Sequence, residues 1–165
     1  MKKVTILLSI FSLIFLFGCG APVRVFSDVD ESGQFAKYTT YSFVDFSEGN
    51  QKTITGMELE RIRVAFAREL EKRGLTFMEK GGDVSVKITV YHREAMDNHY
   101  YSSWRYRYME RAIAVDMYDN LSRKHIWHCA AVGELEYNSS ARAEGLPELA
   151  AAIFERYPVP ALTDM

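Results

Sequence analysis

The hydrophobic residues of this 165-residue chain recur with two different periods along the sequence. In several segments they alternate with polar residues, which is the pattern of a β-strand with one buried face and one wetter face. These segments cover residues 23–29, 38–46, 83–93, 113–118 and 125–137, and a shorter candidate strand covers residues 75–78. The polar turn at residues 119–122 predicts that the last two long strands form an antiparallel hairpin.

The clearest helical period lies between Gly56 and Arg73. Thr55 and Glu58 have the spacing of a capping box at its start, and Gly74 stands where a left-handed C-terminal cap belongs. One apolar stripe runs along the segment and is formed by Leu59, Ile62, Phe66 and Leu70. The stripe predicts an amphipathic helix that covers one face of a sheet.

A last helix is predicted to begin near Pro147, because proline is favoured in the first turn of a helix, and to end before Pro158. Together these elements predict a single α+β domain over residues 23–165. We expect an antiparallel or mixed sheet of about five to six strands, with the two helices packed on one of its faces. A chain of this length can form one hydrophobic core.

The first 18 residues predict an export signal that is not part of this domain. Two lysines precede 14 mostly apolar residues, a run that would extend only about 21 Å as a helix, short of the roughly 30 Å hydrocarbon core of a bilayer. Leu16-Phe17-Gly18 then lead into Cys19, which is the pattern of a bacterial lipoprotein signal. We therefore expect residues 1–18 to be removed, Cys19 to be acylated, and residues 19–22 to form a short tether.

Acylation at Cys19 makes the membrane the first predicted partner, because two or more long acyl chains hold a protein on a bilayer almost permanently. Gly20 and Ala21 follow the cysteine without an acidic residue. This favours the inner leaflet of an outer membrane, with the domain facing the periplasm. The alternative is an ordinary secretory signal cut near Ala21, which would leave a soluble periplasmic protein.

Charge and cysteine content narrow the choice of partners and of stabilising bonds. Without its leader the chain has 18 basic and 22 acidic residues and no basic block, so we expect no nucleic-acid partner. With Cys19 acylated, Cys129 has no cysteine to pair with, and no disulfide is expected. Cys129 lies in a strand-like stretch, where a free cysteine is usually a small buried apolar group and only rarely a reactive thiol.

The densest unusual segment, residues 98–108, interleaves aromatic rings with arginine side chains. Such groups could stack on sugars, lie at the level of lipid headgroups, or anchor a protein partner. The simpler alternative is that these side chains cover one another on a half-exposed sheet face. If the segment is a binding surface, the residues predicted to form it are Trp104, Arg105, Tyr106 and Arg107.

Two further patterns resemble metal sites. His125 and His128 stand three residues apart on a predicted strand, and such residues point to opposite faces unless a bulge intervenes. We therefore expect ordinary sheet histidines there, as for His92 and His99, and no metal. The stretch 28–33 resembles the opening of a calcium loop, but its twelfth position is threonine and no helix precedes it, so a polar turn is favoured.

Several short motifs, taken as a set, resemble one known family. They are FSDVD at 26–30, FAKYTTYSF at 35–43, RIR at 61–63, LEKRG at 70–74, GDVSV at 82–86, AVDMYD at 114–119 and HIWH at 125–128. The set is similar to domain of unknown function 4136, a family of bacterial envelope lipoproteins, and spans nearly all of the mature chain. Where such proteins tend to have a glycine-rich stretch, this chain has Tyr100 to Tyr108. The resemblance implies no functional residues.

The sequence contains no nucleophile elbow, no phosphate-binding glycine loop, no HExxH motif and no CxxC motif. We therefore predict a lipid-anchored envelope protein without catalytic residues, cofactor or metal, which acts as an accessory or binding module for an envelope protein or a glycan. The alternative is an envelope hydrolase or small-ligand-binding protein whose site is assembled from carboxylates and histidines distant in sequence. Nothing in the sequence indicates an oligomeric state.

Overall fold

The computed structural model describes residues 23–44, 54–97, 106–134 and 136–162, so the leader, Cys19 and the tether lie outside it. The described elements are β1 (Arg24–Val29), a 3₁₀ turn (Phe35–Lys37), β2 (Thr40–Phe43), α1 (Gly56–Glu71), β3 (Thr76–Phe77), β4 (Val84–Asp97), β5 (Tyr106–Asp119), β6 (His125–Glu134) and α2 (Ser139–Phe154). Neither of these two helices has the length and apolar character needed to cross a membrane.

The six described strands form one mixed sheet in the order β1-β6-β5-β4-β2-β3. The pairs β1–β6, β6–β5 and β5–β4 are antiparallel, whereas β2 runs parallel to both β4 and β3. The hairpin predicted from the turn at 119–122 is the β5–β6 pair. The predicted α+β class, with one mixed sheet and two helices, is confirmed.

Both helices cover the same face of the sheet because alternate residues of β4 and β5 are apolar. The residues that point to this face are almost fully buried, and they are Val84, Val86, Ile88, Val90, Ile113, Val115 and Met117. They join one core with residues of both helices, among them Ile62, Phe66, Leu70, Ile153 and Phe154. Several residues on the other face of the sheet stay accessible, and Phe26 and Tyr91 are each 57% exposed, whereas Thr89, Glu110 and Ala114 on that face are buried.

Helix α1 has both of the end signals that the sequence predicts. The Thr55 hydroxyl accepts a hydrogen bond of 3.2 Å from the backbone N–H of Glu58. Gly74 has φ of +83°, the left-handed conformation that favours glycine, and the helix ends at Glu71, two residues earlier than expected.

Helix α2 begins at Ser139 and not near Pro147, so that prediction is wrong. The Asn138 side chain caps the helix by accepting hydrogen bonds from the backbone N–H groups of Ser140 and Ala141, at 2.9 and 3.3 Å. Pro147 lies inside the helix, where its missing N–H group removes one backbone hydrogen bond, so the Asn138 cap and not the proline sets where α2 begins.

Strands β4 and β5 are longer than the sequence predicts and pair along their whole length, from Val84 opposite Asp119 to Asp97 opposite Tyr106. Strand β6 pairs with β5 only as far as Glu134 opposite Glu110. The last four residue pairs of the β4–β5 ladder therefore extend beyond the point where β6 stops pairing with β5. At the usual rise per strand residue this extension is about 13 Å long.

An ion cluster at the end of α1 ties this helix to α2. Glu69 is buried, and its carboxylate lies 2.8 Å from Arg73 Nη1 and 2.6 Å from Lys72 Nζ. Arg73 Nη2 donates a further hydrogen bond of 2.8 Å to the carbonyl oxygen of Phe154 in α2. Burial alone raises the pKa of Glu69, but the hydrogen bonds and charges of Lys72 and Arg73 outweigh it and hold the pKa below its ordinary value of 4.5.

Replacement of Glu69 by glutamine should lower the free energy of unfolding by about 3 kcal/mol near neutral pH, because it leaves Arg73 charged and buried without its carboxylate. A carboxylate with a depressed folded pKa stabilises the fold above its unfolded pKa, and this contribution is lost as pH falls through the folded pKa. The gap between wild type and Glu69→Gln in urea unfolding should therefore narrow in acid. Glu71→Gln, an exposed neighbour, is the control, and a gap that stays constant with pH contradicts the prediction.

Candidate functional site

Two histidines and an aspartate lie together on the exposed face of the sheet, and we call Asp116, His125 and His128 the His–Asp cluster. His128 Nδ1 is 2.7 Å from Asp116 Oδ1, and His125 Nε2 is 3.1 Å from the same oxygen. His125 Nε2 is also 3.1 Å from the carbonyl oxygen of Trp127. One ligand atom from each of the three cluster residues lies within 4.8 Å of the other two.

A β-bulge places both histidines on one face. The register between β5 and β6 shifts at this point, because Met117 pairs with Trp127 while Tyr118 pairs with His125, which leaves Ile126 as an extra residue in β6. The extra residue turns His125 to the face of His128, and the Tyr118 ring stacks on the His125 ring at 4.8 Å between centroids. The expectation that the two histidines point to opposite faces of the sheet is therefore wrong, because the bulge intervenes between them.

The His–Asp cluster has the ligand types and the accessibility of a metal site. Two imidazole nitrogens and one carboxylate oxygen are a set used by zinc, nickel and copper, and three protein ligands leave room for water or a further ligand. The side chains of His125 and His128 are 43% and 40% exposed, so that additional position faces solvent. His92 is not part of the group, because it points to the helix-covered face beside Arg111, and His99 lies outside the described residues.

A second polar cluster is half-buried at the other end of the sheet, where α1 and α2 both begin. Glu58 Oε1 lies 2.9 Å from Arg111 Nη2 and 3.0 Å from Arg142 Nε. The Arg111 side chain is nine-tenths buried, and its Nε has no hydrogen-bond acceptor among the described residues. The contact between Arg111 Nη2 and Glu58 is short enough for an ion pair but misaligned for a hydrogen bond. We call Glu58, Arg111 and Arg142 the arginine cluster.

Burial is the main cause of the lowered pKa values of Arg111 and His92 in this region. It lowers the pKa of Arg111, and the nearby Arg142 acts in the same direction while Glu58 opposes both. His92 is the cross-strand partner of Arg111, and its pKa is lowered first by burial and then by the charge of Arg111. With His92 neutral, two guanidinium groups face one carboxylate, and the arginine cluster carries one positive charge in excess.

A cavity of about 870 Å³ opens beside the arginine cluster. Arg111 and Arg142 form part of its wall, and apolar side chains of the sheet and of α2 form much of the rest, including Ile113, Ala131, Leu146, Leu149 and Ala152. Glu134, Glu136 and Glu148 also line it and are exposed. Concavity combined with convergent titratable groups is the feature that the small-ligand alternative requires.

Two of the four predicted binding residues, Tyr106 and Arg107, fall at the end of the long β4–β5 ladder. Trp104 and Arg105 lie outside the described residues. Tyr106 and Arg107 are the first two residues of β5, and their backbones pair with Asp97 and Met96. Whether their side chains cover one another on a sheet face stays a prediction.

Two other sequence predictions can be compared with the structure. Cys129 is fully buried, its Sγ lies 3.7 Å from the carbonyl oxygen of Ile153, and burial raises the pKa of the thiol to about 11. It is the inert buried group that the sequence indicates. The calcium-like stretch is a polar turn, in which Asp30 Oδ1 accepts a hydrogen bond of 2.8 Å from the backbone N–H of Ser32.

Sequence reasoning missed Asp116 and the arginine cluster. Glu58 could be read only as part of a capping box, and nothing local connects it to Arg111 or Arg142, which are 53 and 84 positions away. A signal did exist for Asp116, because the predicted hairpin turn at 119–122 implies that it faces the His125–His128 stretch.

Comparisons with known proteins place the chain in a family and in a fold. The sequence profile described as Domain of unknown function (DUF4136) matches residues 25–159, and no curated protein matches the chain. A PDZ domain protein from Parabacteroides distasonis has a similar structure, with a TM-score of 0.58 at 16% identity over 94% of this chain. The likeness concerns the fold alone, and the match covers 40% of that protein's chain.

Two further solved structures have weaker likenesses. A minor lipoprotein from Acinetobacter baumannii has a TM-score of 0.47 at 9% identity, over 76% of this chain and 98% of that one. The PelC dodecamer from Paraburkholderia phytofirmans in space group P6 has a TM-score of 0.45 at 10% identity, over 81% of this chain and 92% of that one.

Replacement of Glu58 by glutamine should lower the free energy of unfolding by about 3 kcal/mol, because two guanidinium groups then remain side by side with no carboxylate between them. Glu60→Gln, an exposed change on the same helix, should alter stability by less than about 0.5 kcal/mol. Urea unfolding of the two variants and the parent measures the difference. Equal losses in both variants would show that the arginine cluster contributes nothing to the fold.

Proposed function

We propose that this chain, which belongs to the family described as Domain of unknown function (DUF4136), is a lipid-anchored protein of the bacterial cell envelope that binds another envelope component without catalysing a reaction. In this proposal residues 1–18 are removed, Cys19 is acylated, and the domain faces the periplasm from the inner leaflet of an outer membrane. The leader, the cysteine that follows it and the missing enzyme motifs support this assignment.

The observation that carries the proposal is the direction of the long β4–β5 ladder relative to the tether. Strand β1 begins at Arg24, which pairs with Val132 near the end of β6, and β6 ends beside the early part of β5. The start of β1 and the start of β5 therefore lie at the same end of the sheet. Cys19 is five residues before Arg24, and five residues of extended chain span at most about 17 Å, so an acyl anchor at Cys19 would hold this end of the sheet near the bilayer.

The continued part of the β4–β5 ladder points towards the anchored end. Tyr106 and Arg107 occupy its last two pairs, and Trp104 and Arg105 come directly before them in the chain. Tryptophan, tyrosine and arginine are the residue types enriched at the energetic centres of protein interfaces. Because this end of the ladder points towards the anchor, we favour a protein partner held at the same membrane. A glycan partner is the alternative.

Proximity labelling in living cells should recover a defined set of envelope proteins with the parent chain. Truncation of both rings, by Trp104→Ala with Tyr106→Ala, should reduce recovery by about tenfold or more, because each ring is of the hot-spot type. Tyr91→Ala removes an exposed ring from the sheet face and should leave recovery unchanged. Cys19→Ser should abolish membrane retention and the labelling pattern with it.

Three results would contradict the proposal: no specific neighbour with the parent chain, full recovery with the double variant, or firm membrane retention of Cys19→Ser. Loss of neighbours with Tyr91→Ala alone would instead move the binding surface to the exposed sheet face. Binding of an isolated envelope glycan to the parent chain, and its loss in the double variant, would favour the glycan alternative.

A second candidate function is the binding of a small anionic ligand with an apolar body in the 870 Å³ cavity. The specific observation in its favour is Arg111, a nearly buried guanidinium whose Nε has no acceptor in the described residues, within a cluster of positive excess charge. A carboxylate could accept from such a donor while its hydrocarbon part contacts the apolar wall.

Octanoate should bind the detergent-solubilised chain saturably in isothermal calorimetry, whereas octan-1-ol should not. Arg111→Gln should weaken octanoate binding by about tenfold or more, because a charged hydrogen bond is lost. Glu60→Gln, on the exposed face of α1, should bind octanoate as the parent does. Equal binding of the alcohol and the acid, or full affinity in Arg111→Gln, would overturn this candidate.

A further inference from the structure

We propose that the His–Asp cluster binds a divalent cation of the zinc class through His125 Nε2, His128 Nδ1 and Asp116 Oδ1. This inference is independent of the proposed function, since the cluster lies near the end of the sheet opposite the tether. It rests on three residues that the β-bulge brings together.

The spacing of the ligand atoms is close to what such a cation needs. Around a tetrahedral zinc ion with bonds of about 2.0–2.1 Å, neighbouring ligand atoms are roughly 3.3 Å apart. The carboxylate oxygen already lies 2.7 and 3.1 Å from the two ring nitrogens. Small rotations of the two exposed imidazole rings open the space for an ion, and the paired strands β5 and β6 hold the backbone positions.

The ligand chemistry selects the class of cation. Two neutral imidazoles with one carboxylate favour Zn²⁺, Co²⁺, Ni²⁺ and Cu²⁺ over Mg²⁺ and Ca²⁺, which prefer oxygen ligands alone. No thiolate contributes, because Cys129 is buried towards the helices. To bind the ion, each ligating nitrogen presents its lone pair, and the proton is carried by the other nitrogen of the ring.

Charges on the adjacent strands and one ring contact surround the cluster. Asp28 on β1 is the cross-strand neighbour of His128, and Lys87 on β4 is the cross-strand neighbour of Asp116. Asp28 favours a bound cation and Lys87 opposes it, so the two carboxylates outnumber the one ammonium group. The Tyr118 ring lies against His125 with 25° between the planes, which limits the orientations open to that imidazole.

The test uses the detergent-solubilised full chain without a histidine tag. Isothermal calorimetry with Zn²⁺ should show saturable binding of a single ion per chain, and Co²⁺ should give the visible absorption bands of a low-symmetry site. Asp116→Asn and His128→Gln should each raise the dissociation constant for Zn²⁺ by about tenfold or more. Lys87→Gln should lower it by about two- to fivefold, because an opposing charge is removed.

His92→Gln is the matched control, since it removes a histidine on the opposite face and should leave Zn²⁺ affinity unchanged. Circular dichroism confirms the fold of each variant, and His125→Gln replaces Asp116→Asn if the latter does not fold. The proposal is overturned if the parent shows no saturable binding, if the cluster variants keep its affinity, or if His92→Gln loses as much affinity as they do.

Discussion

The rest of the structure depends on one constraint: the two described helices, α1 and α2, cover the same face of the sheet. Each fully buried Val, Ile or Leu of that face contributes about 1.5–3 kcal/mol, so the alternation along β4 and β5 fixes which residues point to α1 and α2. The residues at the intervening positions then point to the other face of the sheet, which neither described helix covers. Asp116 and His128 are accessible for this reason, while Arg111, on the covered face, must find its partners among buried groups.

Ion clusters at the two ends of α1 fix how the helices lie on the sheet. Glu58 at its start contacts Arg111 of β5 and Arg142 of α2, and Glu69 near its end joins Arg73, which bonds the last residue of α2. Buried ion pairs add little net stability compared with apolar packing, but breaking one is costly. We interpret both clusters as devices that select one register of α1 against α2 from the many that an apolar contact would allow.

Local signals predicted the elements whose ends are set within a few residues, and they failed where distant groups decide. Helix α1 follows from Thr55 and Gly74, which act through their own backbone neighbours. The start of α2 is an exception, because its signal is also local: the Asn138 side chain caps the helix, and Pro147 lies inside it. The bulge in β6 interrupts the alternation of buried and exposed residues, because the neighbouring residues Ile126 and Trp127 are both buried. That the bulge turns His125 to the face of His128 follows only from the register between β5 and β6.

The two ends of the sheet differ in chemistry. The end at which β1 begins combines the cavity, the arginine cluster and the long β4–β5 ladder. The His–Asp cluster lies about 17 Å further along β5 than the arginine cluster, since Asp116 is five positions after Arg111. This separation is about two Debye lengths of physiological salt, so an ion at the His–Asp cluster and solvent-exposed charges at the other end of the sheet interact only weakly.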